Sequence, residues 1–113
     1  KDLVKDLQFD KAVINLATPS SIQFPHTHGT STVITYYINP DWKKEYYGET
    51  IFYDDSMTHC IGTSLYHTNS AVIFDGKIPH SIRPASHIAP SYRFSLSVFF
   101  RQKNFIEEAK NNT

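Results

Sequence analysis
The sequence predicts an all-β domain: a sandwich, barrel or jelly roll. Three observations carry that expectation. Apolar and polar residues alternate with period two in one run after another. Aromatic residues, eight Phe, seven Tyr and one Trp, make up 14% of the chain, a composition that suits the pleated surface of a sheet. Clusters of Pro, Gly, Asn, Asp and Ser interrupt the runs at short intervals, as turns between short strands do. An antibody-type sandwich is excluded, because its Cys/Trp/Cys pattern needs a second cysteine.

The elements follow in order. KDLVKDLQF is either one or two helical turns or an extended arm, being short for a helix on its own. AVINLA is a strand, ended by Thr18-Pro19-Ser20-Ser21. SIQFPHTH is a second strand, with Pro25 placing it at an edge or rim. STVITYYIN, rich in β-branched and aromatic residues, is the strongest strand, closed by Asn39-Pro40-Asp41. After the loop DWKKEYYG come the strands ETIFYDD, THCIGTSLYH and SAVIFD, and Asp75-Gly76 turns the chain into KIPHSIRP. RFSLSVFFR is the last strand, and NFIEEAKNN a terminal helical turn.

Composition bounds the function. The 113 residues make one domain, 1–113, with a single core. Lys+Arg and Asp+Glu balance at 11 each, so no basic footprint for nucleic acid and no acidic tail is present. No apolar run is long enough to span a membrane, no signal peptide opens the sequence, and the single Cys60 cannot form an internal disulfide. A cytoplasmic protein with neither a nucleic-acid nor a membrane partner is the expectation.

The chemistry begins at FPHTHG. On a strand, His26 and His28 project to the same face, so the pair aims two imidazoles at one point. For such a pair alone, surface histidines are the commoner outcome. His80, in IPHSIRP, stands where a third ligand from another strand would, and neutral imidazoles suit Fe, Zn, Cu or Ni. RFSLSVFF puts Phe94, Leu96 and Val98 on one face and Arg93, Ser95 and Ser97 on the other. That second face is either an ordinary wet surface or the lining of a polar lumen.

TYYINPDW, YGET, AVIFDGKIPHSIRP and YRFSLSVFF, in that order over residues 13–101, resemble the catalytic core of the Fe(II)- and 2-oxoglutarate-dependent dioxygenases, in the prolyl 4-hydroxylase-like branch. The resemblance implies a double-stranded β-helix, or jelly roll, with little helix. It implies His26, His28 and His80 as metal ligands and Arg93, with Ser95 and Tyr37, as the anchor of the far carboxylate of 2-oxoglutarate. A planar guanidinium suits that role because it can donate two parallel bonds to a carboxylate. Tyr36 should point away from its neighbour. Trp42 should pack rather than bind substrate, and His59, His67 and His87 have no counterpart role. Cys60 is not a candidate for chemistry.

Two departures stand out. The family pattern is H-x-D, and this chain has His28 at the carboxylate position, which leaves a bound metal one charge more positive. Asp54 or Asp55 is a conceivable substitute, although no strand reading brings either to the site. The helices that usually precede the first ligand strand are also not in evidence. Their absence would expose one sheet face for a second copy, or for the remainder of a longer chain, to cover. The implied activity couples decarboxylation of 2-oxoglutarate to succinate with hydroxylation of a C–H bond in a small-molecule or peptide substrate, a prolyl side chain being the family-level guess. The alternatives are a cupin-like metal-binding protein, against which Thr32 and Val33 stand where its glutamate would fall, and a non-catalytic jelly-roll binding domain.

Overall fold
The structure is a computed structural model that describes residues 6–102. It contains seven strands: β1 (Leu7–Ala17), β2 (Thr32–Tyr37), β3 (Thr50–Tyr53), β4 (Cys60–Ser64), β5 (Ser70–Asp75), β6 (His80–Ile82) and β7 (Arg93–Gln102). Its helical content among the described residues is one 3-10 turn, Lys44–Tyr46. The strands form two antiparallel sheets, ordered β1-β7-β2-β5 and β4-β3-β6. An isolated bridge between His26 and His80 adds one more rung beyond β6. The chain passes from sheet to sheet rather than completing one before the other. The fold is accordingly all-β and jelly-roll-like.

The structure decides one alternative of the sequence reading and corrects one strand. β1 begins at Leu7, so the end of KDLVKDLQF is strand and not helix, held by antiparallel pairing to the whole length of β7. Residues 1–5 lie outside the described part, as does the helical turn expected at 104–112. The second strand, SIQFPHTH, contracts to the single bridge at His26. Pro25 has no N–H to give to a ladder, and the chain before it is committed to a turn in which Ser21 N–H donates to Thr18 O at 3.0 Å.

The structure decides between the two alternatives left open for the faces of β7. Arg93, Ser95, Ser97 and Phe99 are buried between the sheets, while Phe94, Leu96, Val98 and Phe100 face outward and are half-buried. The polar face is therefore a lumen. On the outer side, Ile14 (63% exposed) and Leu16 (51%) of β1 lie opposite Leu96 and Phe94. Among the described residues this sheet face is apolar and exposed.

Two small cores flank the lumen. Val33, Phe74 and Phe99 form one, with Phe52 and Val72 against it. Tyr37, Trp42, Tyr66 and Ala85 form the other. Trp42 packs there and donates Nε1–H to Tyr47 O at 2.7 Å. Asn39 ties the end of β2 to the start of β7, its Oδ1 accepting from Phe94 N–H at 2.6 Å and its Nδ2 donating to Tyr92 O at 2.9 Å.

Candidate metal centre
His26 and His80 are brought together by backbone pairing. The N–H of each donates to the carbonyl of the other at 3.0 Å, which makes them a hydrogen-bonded antiparallel pair with side chains on one face. His28 follows two residues later on that face. The three ring centroids form a nearly equilateral triangle, with separations of 4.9 Å (His26–His28), 4.6 Å (His26–His80) and 4.8 Å (His28–His80). One ring nitrogen from each lies within 4.8 Å of the others, close enough for the three to hold a metal ion. Tetrahedral coordination with bonds of about 2.1 Å sets neighbouring nitrogens about 3.4 Å apart, so the three would draw together by up to about 1.4 Å to share one ion.

The ring orientations suit that role. His26 Nδ1 is 2.9 Å from Phe24 O, and His80 Nδ1 is 2.8 Å from Ile78 O. A carbonyl can only accept, so Nδ1 carries the proton in both rings and Nε2 keeps the lone pair a metal needs. Burial, followed by the fields of His80, His26 and Lys11, lowers the His28 pKa from 6.5 to about 4. Burial also lowers His80, against the opposing effect of its bond to the Ile78 carbonyl. Neutral imidazoles are the ligating form. Aromatic edges back the cluster, with Phe74 4.7 Å from His80 and Phe99 5.0 Å from His28.

The position of His28 depends on a glycine whose contact is not visible in the sequence. His28 N–H donates to Gly76 O at 2.7 Å, and Gly76 N–H donates to Ser31 O at 2.7 Å. A Cβ on Gly76 would stand 2.7 Å from Ser31 O and 3.0 Å from His28 Cβ. The Asp75-Gly76 turn was legible as a turn; that it clamps the histidine segment was not.

The triad opens into a cavity of about 200 Å³ between the sheets, with Ser95, Ser97, Thr35, Thr50 and Asn15 among its polar lining. Ser97 Oγ links to Thr35 Oγ1 at 3.1 Å and accepts from Asn15 Nδ2 at 3.2 Å. Arg93 lies behind this lining, fully buried (0% exposed). Its Nε donates to Gly48 O at 2.8 Å and its Nη1 to Ser95 Oγ at 3.1 Å, while Nη2 is buried without an acceptor. Gly48 permits the approach: it has φ +86°, and a Cβ there would stand 3.1 Å from Arg93 Cδ. Tyr37 is equally buried; its hydroxyl pairs with Thr50 Oγ1 and Ser64 Oγ, both at 2.9 Å. Of the three, Ser95 lines the cavity, while Arg93 and Tyr37 lie behind it, the Arg93 guanidinium 5.6 Å from the centre of the Tyr37 ring. Burial pulls the Arg93 pKa down, while Tyr37, Tyr66 and Glu49 act in the other direction. Glu49 has its own buried oxygen, Oε1, without a donor, its Oε2 being paired with Arg83 at 3.2 Å.

The remaining candidates fall outside the site. Tyr36 is on the outer sheet face, its hydroxyl donating to Asn69 Oδ1. Asp54 closes the β3–β4 turn by accepting from the N–H groups of Thr58 and His59 at 3.0 and 3.2 Å. His59, His67, His87 and Cys60 are exposed. The sequence reading missed Lys11, Asn15, Thr35 and Thr50, whose inward direction depends on which sheet faces which. No helix among the described residues is long and apolar enough to cross a membrane. Neither a comparison with protein-family models nor one with curated proteins finds a match to the chain.

Proposed function
We propose that the protein is a non-haem Fe(II) oxygenase that consumes 2-oxoglutarate and hydroxylates a C–H bond of a small-molecule or peptide substrate. The observation that carries this reading is the convergence of His26, His28 and His80 with Nδ1 of two rings already held by backbone carbonyls. The orphaned Nη2 of buried Arg93 separates it from a cupin-like metal site, which has no need of such a donor. A buried unpaired donor on a charged group is costly, by about 1–3 kcal/mol or more, and an anionic ligand removes that cost.

In this reading His26, His28 and His80 hold the ion, and Fe(II) with its cosubstrate supplies the oxidising power for hydroxylation. Arg93, with Ser95 and the Tyr37–Thr50 pair, receives the far carboxylate of 2-oxoglutarate. Phe74, Phe99 and Val33 keep one side of the cavity apolar and limit water there. Because His28 contributes no charge where a carboxylate would, the centre is more electropositive, and anionic ligands are correspondingly favoured.

The test measures Fe(II) affinity, 2-oxoglutarate binding and succinate formation by the full chain. Iron-dependent succinate release is the expected result. Tight metal binding without 2-oxoglutarate binding would favour the cupin-like reading. No metal binding at all would leave a non-catalytic jelly-roll domain.

A further inference from the structure
The edge strand β1 contains a bulge that reverses which residues face the site. Phe9 pairs with Phe100, but Lys11 pairs with Phe99, so Asp10 is an extra residue in the ladder. Before the bulge, Leu7 and Phe9 share the outer face with Gln102 and Phe100. After it, Lys11, Val13 and Asn15 share the inner face with Phe99, Ser97 and Ser95. In an unbroken ladder Lys11 would lie opposite Val98 and point away from the cavity. Asp10 is occupied elsewhere, its Oδ2 accepting from Arg101 Nε at 3.1 Å. Lys11 instead stands, exposed, at the edge of the cavity that His26 and His28 also line, with Nζ 5.1 Å from the centre of the Phe99 ring, whose edge meets His28. No ion pair holds the Lys11 ammonium among the described residues. The cavity lining contains no Asp or Glu.

We infer that Lys11 is a specificity residue, and that the substrate presented to the metal carries an oxyanion, a carboxylate or a phosphate, that this ammonium receives. The inference rests on the metal-centre reading and extends it to the class of substrate. A dicarboxylate cosubstrate accounts for Arg93 and for part of the metal's charge, and it leaves Lys11 unopposed. Lys11 is exposed to solvent, so its attraction for an anion is that of a screened charge at the edge of the cavity, with Phe99 on one side of it.

The test uses the full chain loaded with Co(II), whose visible spectrum reports ligands arriving at the metal. Acetate, inorganic phosphate and the neutral ligand imidazole are titrated into wild type, Lys11→Met and Lys11→Arg. The expected result is that Lys11→Met weakens one or both anions by about tenfold or more, as loss of a charge-assisted bond does, that Lys11→Arg restores most of the affinity, and that imidazole binds all three alike. Acetate alone responding identifies a carboxylated substrate, and phosphate alone a phosphorylated one. Equal anion affinity in wild type and Lys11→Met overturns the inference. So does self-association of Lys11→Met with unchanged anion affinity, which would make Lys11 a guard of the β1 edge. A chain that takes up no Co(II) refutes the metal centre itself, a result distinct from either of these.

Discussion

Replacing Gly76 by Ala should loosen the metal centre through a single methyl group. Gly76 is not at a positive φ, so alanine can adopt its backbone conformation, and the effect is one of contact alone. The added Cβ would meet Ser31 O at 2.7 Å and His28 Cβ at 3.0 Å, and the first of these is backbone that cannot swing aside. Relief requires the segment carrying His28 to move by about half an ångström, at the limit of the tolerance for a preorganised site. Overpacking of this kind costs about 1–3 kcal/mol, against which the smaller unfolded-state entropy of Ala returns about 0.4–1 kcal/mol. A net destabilisation of about 1–2 kcal/mol and a metal affinity lower by about tenfold are expected. Gly62→Ala is the control, because its Cβ would have nothing within 4 Å and its φ is also not positive. Chelator competition reads affinity, and urea unfolding of the metal-free protein reads stability. If Gly76→Ala matches wild type in metal affinity and the Gly62 control in stability, the clamp on His28 has no role.

Three further outcomes are expected. His28→Asp should bind Fe(II) more tightly than wild type and keep or raise succinate formation, whereas His28→Ala should bind it more weakly with the fold retained; equal iron affinities for the two variants would place His28 outside the coordination sphere. Arg93→Met should raise the dissociation constant for 2-oxoglutarate at least about tenfold, since a hydrogen bond to a charged group contributes about 1.5–3 kcal/mol, and calorimetry showing unchanged binding would remove the anchor. In the metal-free protein, His28 has a folded pKa of about 4 against 6.5 unfolded, so the unfolded chain binds more protons between these values. Its contribution is therefore complete above pH 6.5 and lost as pH falls toward 4, with His80 acting in the same direction; urea midpoints compared across this window, with His28→Ala flattening the slope, check it.

The period-two pattern was enough to determine that the chain is all-β, and the H-x-H spacing enough to place His26 and His28 on one face, because the pleat of a strand is a local property. The same local rule sorted Arg93, Ser95 and Ser97 from Phe94, Leu96 and Val98. It could not say which set faces inward. That is decided by where the smaller sheet lies, and it lies over the polar set, leaving the apolar set outside. His80 could be suspected as a partner from its place after a turn and from family order, but its meeting with His26 is a backbone pair across more than fifty positions of sequence. The bulge at Asp10, the inward turn of Lys11 and the seat of Gly76 beneath His28 left no sequence signal at all. Each is a register or a contact between segments distant along the chain, and such geometry exists only once the two sheets have closed on one another.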